Sequence, residues 1–254
     1  MKNIALFTLC LSLCSTAFAQ TPSWNGHKAA IALTYDDSLH SQLDIAIPQL
    51  DAAGLKGTFF LMGRQVGDQA PRWKAAASRG HELGNHTVNH PCAKGSYDMP
   101  VQYTSEAYTV DVLMTEIGVM NGFLQAMDGK SAHAFATPCD QHLVGGEDYL
   151  EPLQKAHLAS FIRDRRAMPT SSVMYTGFVD KSGADMIAWV EGVVREGKAG
   201  VIVFHGVGGD YLNVSGEAHR QLVEYLKAHQ KEIWTTTFTN VLSRATAKPT
   251  SAQP

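Results

Sequence analysis

Short apolar runs alternate with longer amphipathic stretches along most of the chain. The runs are rich in apolar and β-branched residues and are punctuated by Gly or Pro, which is typical of buried β-strands. They occupy residues 29–35, 57–62, 81–85, 133–137, 158–162, 200–205 and 233–238. Because helical patterns fill most of the gaps, the alternation predicts an α/β fold with a largely parallel sheet or barrel.

Three helical stretches carry clear signals. In residues 104–127 the apolar positions recur at steps of three and four, which predicts one long helix with a core-facing stripe. The stripe consists of Val110, Leu113, Ile117, Met120, Leu124 and Met127. Ser182 followed by Asp185 predicts a capping box at the start of a second helix. A third helix is predicted from Ser215 towards His229.

The first residues are predicted to be a secretory signal peptide. Lys2 gives a positive start, the following run is mostly apolar, and small residues at positions 17 and 19 precede a cleavage site ahead of Gln20. The apolar run is shorter than the roughly 20 residues that cross a bilayer, which disfavours a membrane anchor. A lipoprotein cut before Cys14 is a further alternative, although Leu13 is larger than the small residue usual at that place.

The composition is that of a globular protein. Of the 254 residues, 44% are hydrophobic and 18% are charged, which suffices for a core and makes disorder or collagen-like repeats poor candidates. A net charge of −3 without a basic cluster disfavours a nucleic-acid partner. We expect a signal peptide over residues 1–19, one domain without a membrane span over 20–244, and a disordered tail over 245–254.

Two adjacent carboxylates end the first apolar run. Residues 31–37 read IALTYDD, so Asp36 and Asp37 directly follow a buried strand. Burying two acids side by side is costly unless one binds a cation and the other is paired or takes part in chemistry. The alternative is an Asp-rich turn that caps the following helix.

Two histidines four residues apart follow the third run. His86 and His90 of HTVNH would lie on one face of a helical turn and could ligate one ion, and Pro91 would end that turn. The overlapping HELGNH is not a HExxH metalloprotease site, because its histidines are five residues apart. We expect His81 to be a structural residue in or beside the strand.

A histidine also ends the run VIVF at residues 201–204. A strand so apolar is buried on both faces, so His205 would emerge at the edge of the sheet where α/β folds hold their active sites. A lone histidine there would usually be structural. Together with the two acids and the histidine pair, it is a candidate general acid.

These motifs, in this order, resemble those of the polysaccharide deacetylases of the NodB-homology family, carbohydrate esterase family 4. The resemblance spans about residues 28–243, and the family's motifs match residues 34–37 (TYDD), 86–90 (HTVNH), 135–138 (FATP) and 202–205 (IVFH). It implies a single-domain α/β fold, an incomplete or distorted (β/α) barrel with the motifs at its top.

The resemblance also implies a role for each matched residue. Asp37, His86 and His90 would hold a divalent metal, Asp36 would be the general base and His205 the general acid. Two histidines and one aspartate suit Zn²⁺ and leave positions open for water, although Co²⁺ or Ni²⁺ binds similar ligands. The implied activity is hydrolysis of N-acetyl or O-acetyl groups by attack of a metal-bound water.

Further residues are expected around the acyl group. In the family the backbone N–H after the third motif's proline stabilises the oxyanion, which here points to Cys139 after Pro138. Ile202 and its apolar neighbours are expected to form the wall that accepts the acetyl methyl group.

The third motif departs from the family pattern. The family has an arginine that pairs with the catalytic base, and this chain has Ala136 in that place. Without a cationic partner, Asp36 would have a less depressed pKa and a looser orientation. We hypothesise that Arg163, at the end of the next strand, supplies the charge, with Arg165 or Arg166 as alternatives. The other interpretation is that Arg163 is a surface residue at a strand end.

Two cysteines remain after signal removal. Cys92 and Cys139 each lie within a few residues of a motif, in a chain expected to reach an oxidising compartment. One hypothesis is a disulfide that joins two active-site loops, and the other is two unrelated small buried residues. Neither has a CxxC partner, which disfavours a structural zinc site.

Aromatic residues could contact a sugar ring. Tyr211 lies in the Gly-rich segment that follows His205, and a flexible loop could place it on the substrate. The other aromatic candidates are Trp24, Trp73, Tyr97 and Tyr103. The alternative for each of them is a place in the core.

The sequence thus favours a bacterial hydrolase, periplasmic or secreted, that deacetylates a glycan with a bound metal. Chitin oligomers, peptidoglycan, acetylxylan and an exopolysaccharide are all open as substrates. One alternative is an amidohydrolase on the same scaffold that acts on a small non-sugar acyl amide. The other is a carbohydrate-binding pseudoenzyme, in which the missing arginine marks lost catalysis.

Overall fold

The computed structural model of the protein describes residues 24–247. The predicted signal peptide over residues 1–19 and most of the predicted tail lie outside the described residues. Ala245, predicted to begin the tail, is instead the last residue of a helix. Among the helices of residues 24–247, none combines the length and the hydropathy that a bilayer crossing requires.

Within residues 24–247, ten strands form one large sheet and one small hairpin. In chain order they are β1 (Ala29–Asp36), β2 (Thr58–Leu61), β3 (Glu82–Asn85), β4 (Phe135–Ala136), β5 (Leu143–Val144), β6 (Glu147–Asp148), β7 (Ile162–Arg163), β8 (Val173–Gly177), β9 (Ala199–Phe204) and β10 (Ile233–Thr236). The large sheet is parallel throughout, in the order β7-β4-β3-β2-β1-β9-β8, with β10 beside the start of β1. Strands β5 and β6 form the antiparallel hairpin.

In the described part of the chain, eight α-helices connect and cover these strands. They are α1 (Ile47–Ala53), α2 (Gly63–Val66), α3 (Ala70–Ser78), α4 (Val110–Asp128), α5 (Leu150–Lys155), α6 (Gly183–Glu196), α7 (Gly216–Ala228) and α8 (Phe238–Ala245). A π-helical turn at Gln42–Ala46 leads into α1. The sheet curls into a half-barrel with helices against it, which is the incomplete (β/α) barrel of the NodB type in a single domain.

The alternation of side chains along β1 separates the core from the site. Ile31, Leu33 and Tyr35 point to the larger core under the helices. The intervening positions 30, 32, 34 and 36 face the inside of the half-barrel, because successive side chains of a strand lie on opposite faces. The first two are alanines packed in the smaller inner core. The inner face of β1 therefore leads from small apolar residues to Asp36.

The predicted helix ends are largely confirmed. Ser182 and Asp185 form the predicted capping box of α6, and Ser215 caps α7, which ends at its C-cap His229. The long helix α4 is confirmed over most of its length, and its stripe is buried from Leu113 onwards. Its predicted start was wrong: residues 101–107 form short 3₁₀ turns, and Thr109 caps the helix by accepting from the Val112 N–H.

Several strands differ from the prediction. The hairpin strands β5 and β6 were not predicted, and β4 covers only two residues of the predicted run 133–137. The run at residues 158–162 pairs only at Ile162–Arg163, and β8 was not predicted. Strand β8 lies at an edge of the sheet, and its middle residues are only half-buried. Its sequence therefore lacks the continuous apolar run by which the central strands were recognised.

Candidate active-site cleft

A cleft of about 790 Å³ opens where strands of the large sheet end. It is lined by the two acids at the end of β1, the histidines after β3 and β9, and the ends of β4 and β7. The principal lining residues are Asp36, Asp37, His86, His90, Cys139, Arg163, His205 and Tyr211. The carboxyl ends of parallel strands meet at one edge of a sheet, so residues far apart in sequence converge there.

Arg163 pairs with Asp36. Its Nη2 donates to Asp36 Oδ2, and its Nη1 donates to Thr34 Oγ1 at 2.8 Å. The two charged side chains are 2% and 6% exposed. Ala136 is the register partner of Arg163 on the neighbouring strand. The guanidinium of Arg163 thus reaches Asp36 from β7. The neighbouring strand β4 holds Ala136, which occupies the position of the family's arginine.

The carboxylate of Asp37 lies between the two histidines. Its Oδ1 is 3.4 Å from the Nε2 of both His86 and His90, and the two Nε2 atoms are 3.1 Å apart. This Oδ1 is buried and has no hydrogen-bond partner among the described residues. The three side chains offer one donor atom each within 4.8 Å of one another. The sequence-predicted ligand residues are therefore brought together.

The HTVNH segment is a loop, so the predicted helical turn was wrong. Thr87 and His90 have left-handed backbone torsions, with φ of 64° and 57°. Asn85 Oδ1 accepts from the Thr87 N–H at 2.8 Å, and Thr87 Oγ1 accepts from the His90 N–H at 2.8 Å. These local contacts turn the backbone so that both imidazoles face Asp37, which a helical turn was expected to achieve.

The donor set suits a divalent cation. His86 Nδ1 donates to the Ala136 carbonyl at 2.9 Å, so in the neutral ring Nε2 is the nitrogen that offers a lone pair to a cation. Two imidazole nitrogens and a carboxylate oxygen are ligands of Zn²⁺ and related ions. A second group nearby, His90 with Cys92 and Cys139, is unsuited because both cysteines are in a disulfide and have no thiolate to offer.

The charges of the site shift the pKa values of its groups. Burial alone would raise the pKa of Asp36, but Arg163 and then His86 outweigh it and lower that pKa below its usual range. The pKa of Asp37 is likewise lowered against the effect of burial by the histidines. Burial and the neighbouring His86 lower the pKa of His90 to about 4. Both acids are therefore carboxylates at neutral pH.

His205 and Tyr211 approach Asp37 from the other side. His205 Nε2 lies 3.8 Å from Asp37 Oδ2, and its side chain is 24% exposed to the cleft. Tyr211 Oη donates to the same Oδ2 at 2.9 Å. Burial and the Asp37 charge raise the pKa of Tyr211, so its hydroxyl remains a donor. The two oxygens of Asp37 thus have different surroundings: one faces the imidazoles and one faces Tyr211.

Several predicted contacts lie elsewhere. Ile202 is fully buried in the core under the helices, so its prediction as the wall of the cleft was wrong. Val203, its neighbour on the opposite face of β9, lines the cleft instead. Trp24 and Trp73 are core residues, with 1% and 0% exposure. Pro138 is buried, whereas the adjacent Cys139 does line the cleft.

A disulfide joins two loops of the site. Cys92 and Cys139 are bonded, with their Cα atoms 5.9 Å apart. Cys92 follows the second histidine by two residues, and Cys139 follows the third motif's proline directly. The loop that carries the histidines is therefore tied covalently to the loop that carries the expected oxyanion donor.

Glu116 of α4 is a site residue that the sequence reasoning missed. Its carboxylate accepts from the backbone N–H groups of Val88 and Asn89, between the two histidines. A signal was present in the sequence: Glu116 is an acid within the apolar stripe of the long helix, between Leu113 and Met120. Such a position buries a charge and therefore requires partners.

Comparison with known proteins identifies a family. Residues 24–144 match the sequence model described as polysaccharide deacetylase. The peptidoglycan-N-acetylglucosamine deacetylase of Bacillus cereus is 37% identical over 76 residues, which is 30% of this chain and 27% of that protein. The matched part of this chain spans at most about a quarter of the length of the curated relatives.

Solved structures resemble the whole domain. The Bc1960 peptidoglycan N-acetylglucosamine deacetylase superposes with a TM-score of 0.57 at 20% identity, covering 89% of this chain and 98% of that one. A pseudoenzyme of the CE4 family from Bacillus anthracis gives 0.57 at 19% identity, covering 84% and 65%. At these identities the likeness concerns the fold. The matched segment contains both acids and both histidines, and the shared fold extends over the rest of the domain, so the chain resembles the polysaccharide deacetylase family in sequence and carbohydrate esterase family 4 in fold.

Proposed function

We propose that the protein is an exported, metal-dependent hydrolase that removes N-acetyl or O-acetyl groups from a polysaccharide. The match to the polysaccharide deacetylase family supports the class of reaction. The observation that carries the proposal is Asp37 Oδ1, which is buried without a hydrogen-bond partner among the described residues and is 3.4 Å from two imidazole nitrogens. A cation held by these three atoms would satisfy all of them at once.

Asp37, His86 and His90 would hold the ion. When bound, a divalent cation lowers the pKa of a coordinated water and polarises the acyl oxygen of the substrate. Zn²⁺ suits two nitrogens and one oxygen best, and Co²⁺ or Ni²⁺ accepts the same set. The chain orients these donors through the Ala136 carbonyl on His86 and the Tyr211 hydroxyl on Asp37.

Asp36 is the proposed general base. Arg163 engages its Oδ2, whereas its Oδ1 is buried and has no hydrogen-bond partner within residues 24–247. One carboxylate oxygen thus remains to accept a proton while the other fixes the orientation of the group. As the oxygen of a water molecule adds to the acetyl carbon, Asp36 takes the proton that this water loses.

His205 is the proposed general acid. Its ring is partly exposed to the cleft and lies on the side of Asp37 that faces away from the two other imidazoles. As the bond from the acyl carbon to nitrogen or oxygen breaks, His205 donates a proton to the leaving atom. The products are acetate and a free amine or alcohol, and exchange with solvent restores both protonation states.

The surrounding walls fit an acyl group and a sugar. The backbone N–H of Cys139 is the proposed donor to the tetrahedral oxyanion, and Val203 takes the place of Ile202 as the apolar contact for the methyl group. Tyr97 and Tyr211 are 44% and 46% exposed at the rim. Their faces could stack on a sugar ring, and a cleft of about 790 Å³ exceeds what a small acyl amide alone would fill.

Export is supported by the predicted signal peptide and by the disulfide. Disulfides persist in the periplasm and outside the cell and are rare in a reducing cytosol. The substrates expected there are acetylated glycans, with peptidoglycan and other extracellular polysaccharides as the class to test.

Acetate release tests the proposal. The purified protein is incubated with N-acetylglucosamine oligomers, peptidoglycan and acetylated xylan, first with zinc, then after chelation and after zinc is restored. We expect release that chelation abolishes and zinc restores, and no release by His86→Ala. Turnover of a small acyl amide alone would indicate the amidohydrolase, and glycan binding without turnover would indicate the pseudoenzyme.

A further inference from the structure

The buried face of α4 contains one acid, Glu116. It is 9% exposed and lies on the stripe that packs against the sheet. A carboxylate in such a position is costly to bury unless hydrogen-bond donors surround it. The donors that satisfy it therefore identify its role.

The Glu116 carboxylate accepts four hydrogen bonds. Its Oε1 accepts from the Val88 N–H at 2.9 Å and from the Asn89 N–H at 2.7 Å. Its Oε2 accepts from Asn89 Nδ2 at 2.9 Å and from Tyr108 Oη at 2.6 Å. Two consecutive backbone amides of the HTVNH loop thus converge on one oxygen of a side chain that a 19-residue helix holds in place.

The loop needs an anchor of this kind. Thr87 and His90 have left-handed torsions that residues other than glycine rarely adopt, and such torsions persist only where the surroundings enforce them. The contacts of Asn85 and Thr87 within the loop set its local shape. Glu116 contacts Val88 and Asn89, the two residues between Thr87 and His90. It thereby links the loop to the core.

We propose that Glu116 is a positioning residue for the metal-ligating histidines. By fixing the backbone at Val88 and Asn89, it holds His86 and His90 so that both Nε2 atoms face Asp37. This inference rests on the proposed function, since it takes the two histidines as ligands. Glu116 acts only through the loop backbone and contacts neither of the two imidazoles.

Glu116→Gln is the test variant. Glutamine keeps the shape of the side chain but carries an NH₂ group in place of one acceptor. In one orientation that NH₂ opposes Asn89 Nδ2, and in the other it opposes the two backbone amides, so two donors face each other in either case. Tyr108→Phe is a milder second variant, because it removes only one donor from Oε2 and leaves both amide contacts.

Glu82→Gln is the matched control. Glu82 is an equally buried acid, 8% exposed, that accepts from Thr58 Oγ1 at 2.7 Å and from the Thr239 N–H at 3.2 Å. It lies at the start of β3, whereas the histidine loop follows the end of that strand. Glu82→Gln should therefore lower the stability of the fold and leave zinc affinity unchanged.

The measurement is the dissociation constant for zinc, by competition with a chromogenic chelator, together with the urea midpoint of the metal-free protein. We expect Glu116→Gln to weaken zinc binding about 10- to 100-fold. Tyr108→Phe should weaken it less, by about threefold, because it loses one hydrogen bond and keeps both amide contacts. Amide hydrogen exchange at Val88 and Asn89 should be faster in metal-free Glu116→Gln. A structural role alone would shift the urea midpoint and leave zinc affinity unchanged.

The outcomes separate this inference from the proposed function. If His86→Ala loses zinc while Glu116→Gln and Tyr108→Phe bind it as the wild type does, the positioning role is overturned and the metal site stands. If Glu116→Gln does not fold, Tyr108→Phe decides alone. If the wild type and His86→Ala bind zinc equally, the metal site itself is wrong and the inference falls with it.

Discussion

Replacing Arg163 by methionine removes the guanidinium that pairs with Asp36 and keeps most of the side-chain volume. Both partners are almost fully buried, so the variant leaves a carboxylate without its counter-charge in the interior. Breaking one side of a buried pair costs about 3–5 kcal/mol. We expect the free energy of unfolding, measured by urea denaturation, to fall by that amount, and the pKa of Asp36 to rise because its strongest charged partner is gone.

The effect on activity follows from the loss of orientation. Asp36 is the proposed base, and positioned acid–base groups contribute about 10²- to 10⁴-fold to a rate. The rate of acetate release at saturating substrate and zinc should fall within that range in Arg163→Met. Arg166→Ala is the control, since its side chain is 48% exposed and its ion pairs lie at 3.7 Å.

A relocated arginine tests the same reasoning by rescue. Ala136 and Arg163 are register partners on adjacent strands, so the double variant Ala136→Arg/Arg163→Ala returns the guanidinium to the family's position. We expect it to recover at least about tenfold of the activity that Arg163→Ala loses, which corresponds to about 1.4 kcal/mol. Full activity and wild-type stability of Arg163→Met would refute the role assigned to this charge.

Three further predictions concern stability and metal binding. Burial lowers the pKa of His219 to about 3 in the folded protein, whereas the pKa of an unperturbed histidine is about 6.5. Between these two pH values only the unfolded chain is protonated at this residue. The free energy of unfolding should therefore fall by about 1.4 kcal/mol for each unit by which the pH is lowered in this range. His219→Gln should flatten that slope in urea melts at pH 7 and 5; an unchanged slope would contradict the assignment. The disulfide closes a loop with a sequence separation of 47 residues, so Cys92→Ser/Cys139→Ser should lower the free energy of unfolding by about 4 kcal/mol. A reductant should destabilise the wild type by the same amount and leave the double variant unchanged. Tyr211→Phe removes the donor on Asp37 Oδ2 and should weaken zinc binding about tenfold; wild-type affinity would show that the hydroxyl does not orient the ligand.

The local patterns predicted the elements that local forces control. The central strands β1 and β9 are buried along their whole length, so their continuous apolar runs identified them. The caps of α6 and α7 were predicted because a cap is satisfied within three residues of the helix start. The acids and histidines at strand ends were predicted as a group for a similar reason, because the carboxyl ends of parallel strands meet at one edge.

The conformation of the histidine loop was outside the reach of such patterns. A spacing of four residues fits a helical turn, and the loop instead has left-handed torsions at Thr87 and His90. These torsions are held by Asn85, Thr87 and the distant Glu116. Tertiary hydrogen bonds therefore overrode the local preference of the segment.

The choice between Ile202 and Val203 illustrates another limit. Alternation establishes that the two side chains point to opposite faces of β9. Which face lines the cleft depends on which face the larger core covers, and Ile202 lies in that core.

The sequence by itself determined the order of the strands along the chain, the donor types and the absence of an arginine at Ala136. It also offered Arg163, at the end of a predicted strand, as the replacement, and left Arg165 and Arg166 open as alternatives. Only the tertiary structure decided the matter, because β4 and β7 pair in parallel and place Arg163 beside Ala136, from where its guanidinium reaches Asp36. The positive charge of Arg163 follows from its residue type. Its pairing with Asp36 is set by the strand register, which depends on contacts between distant parts of the chain.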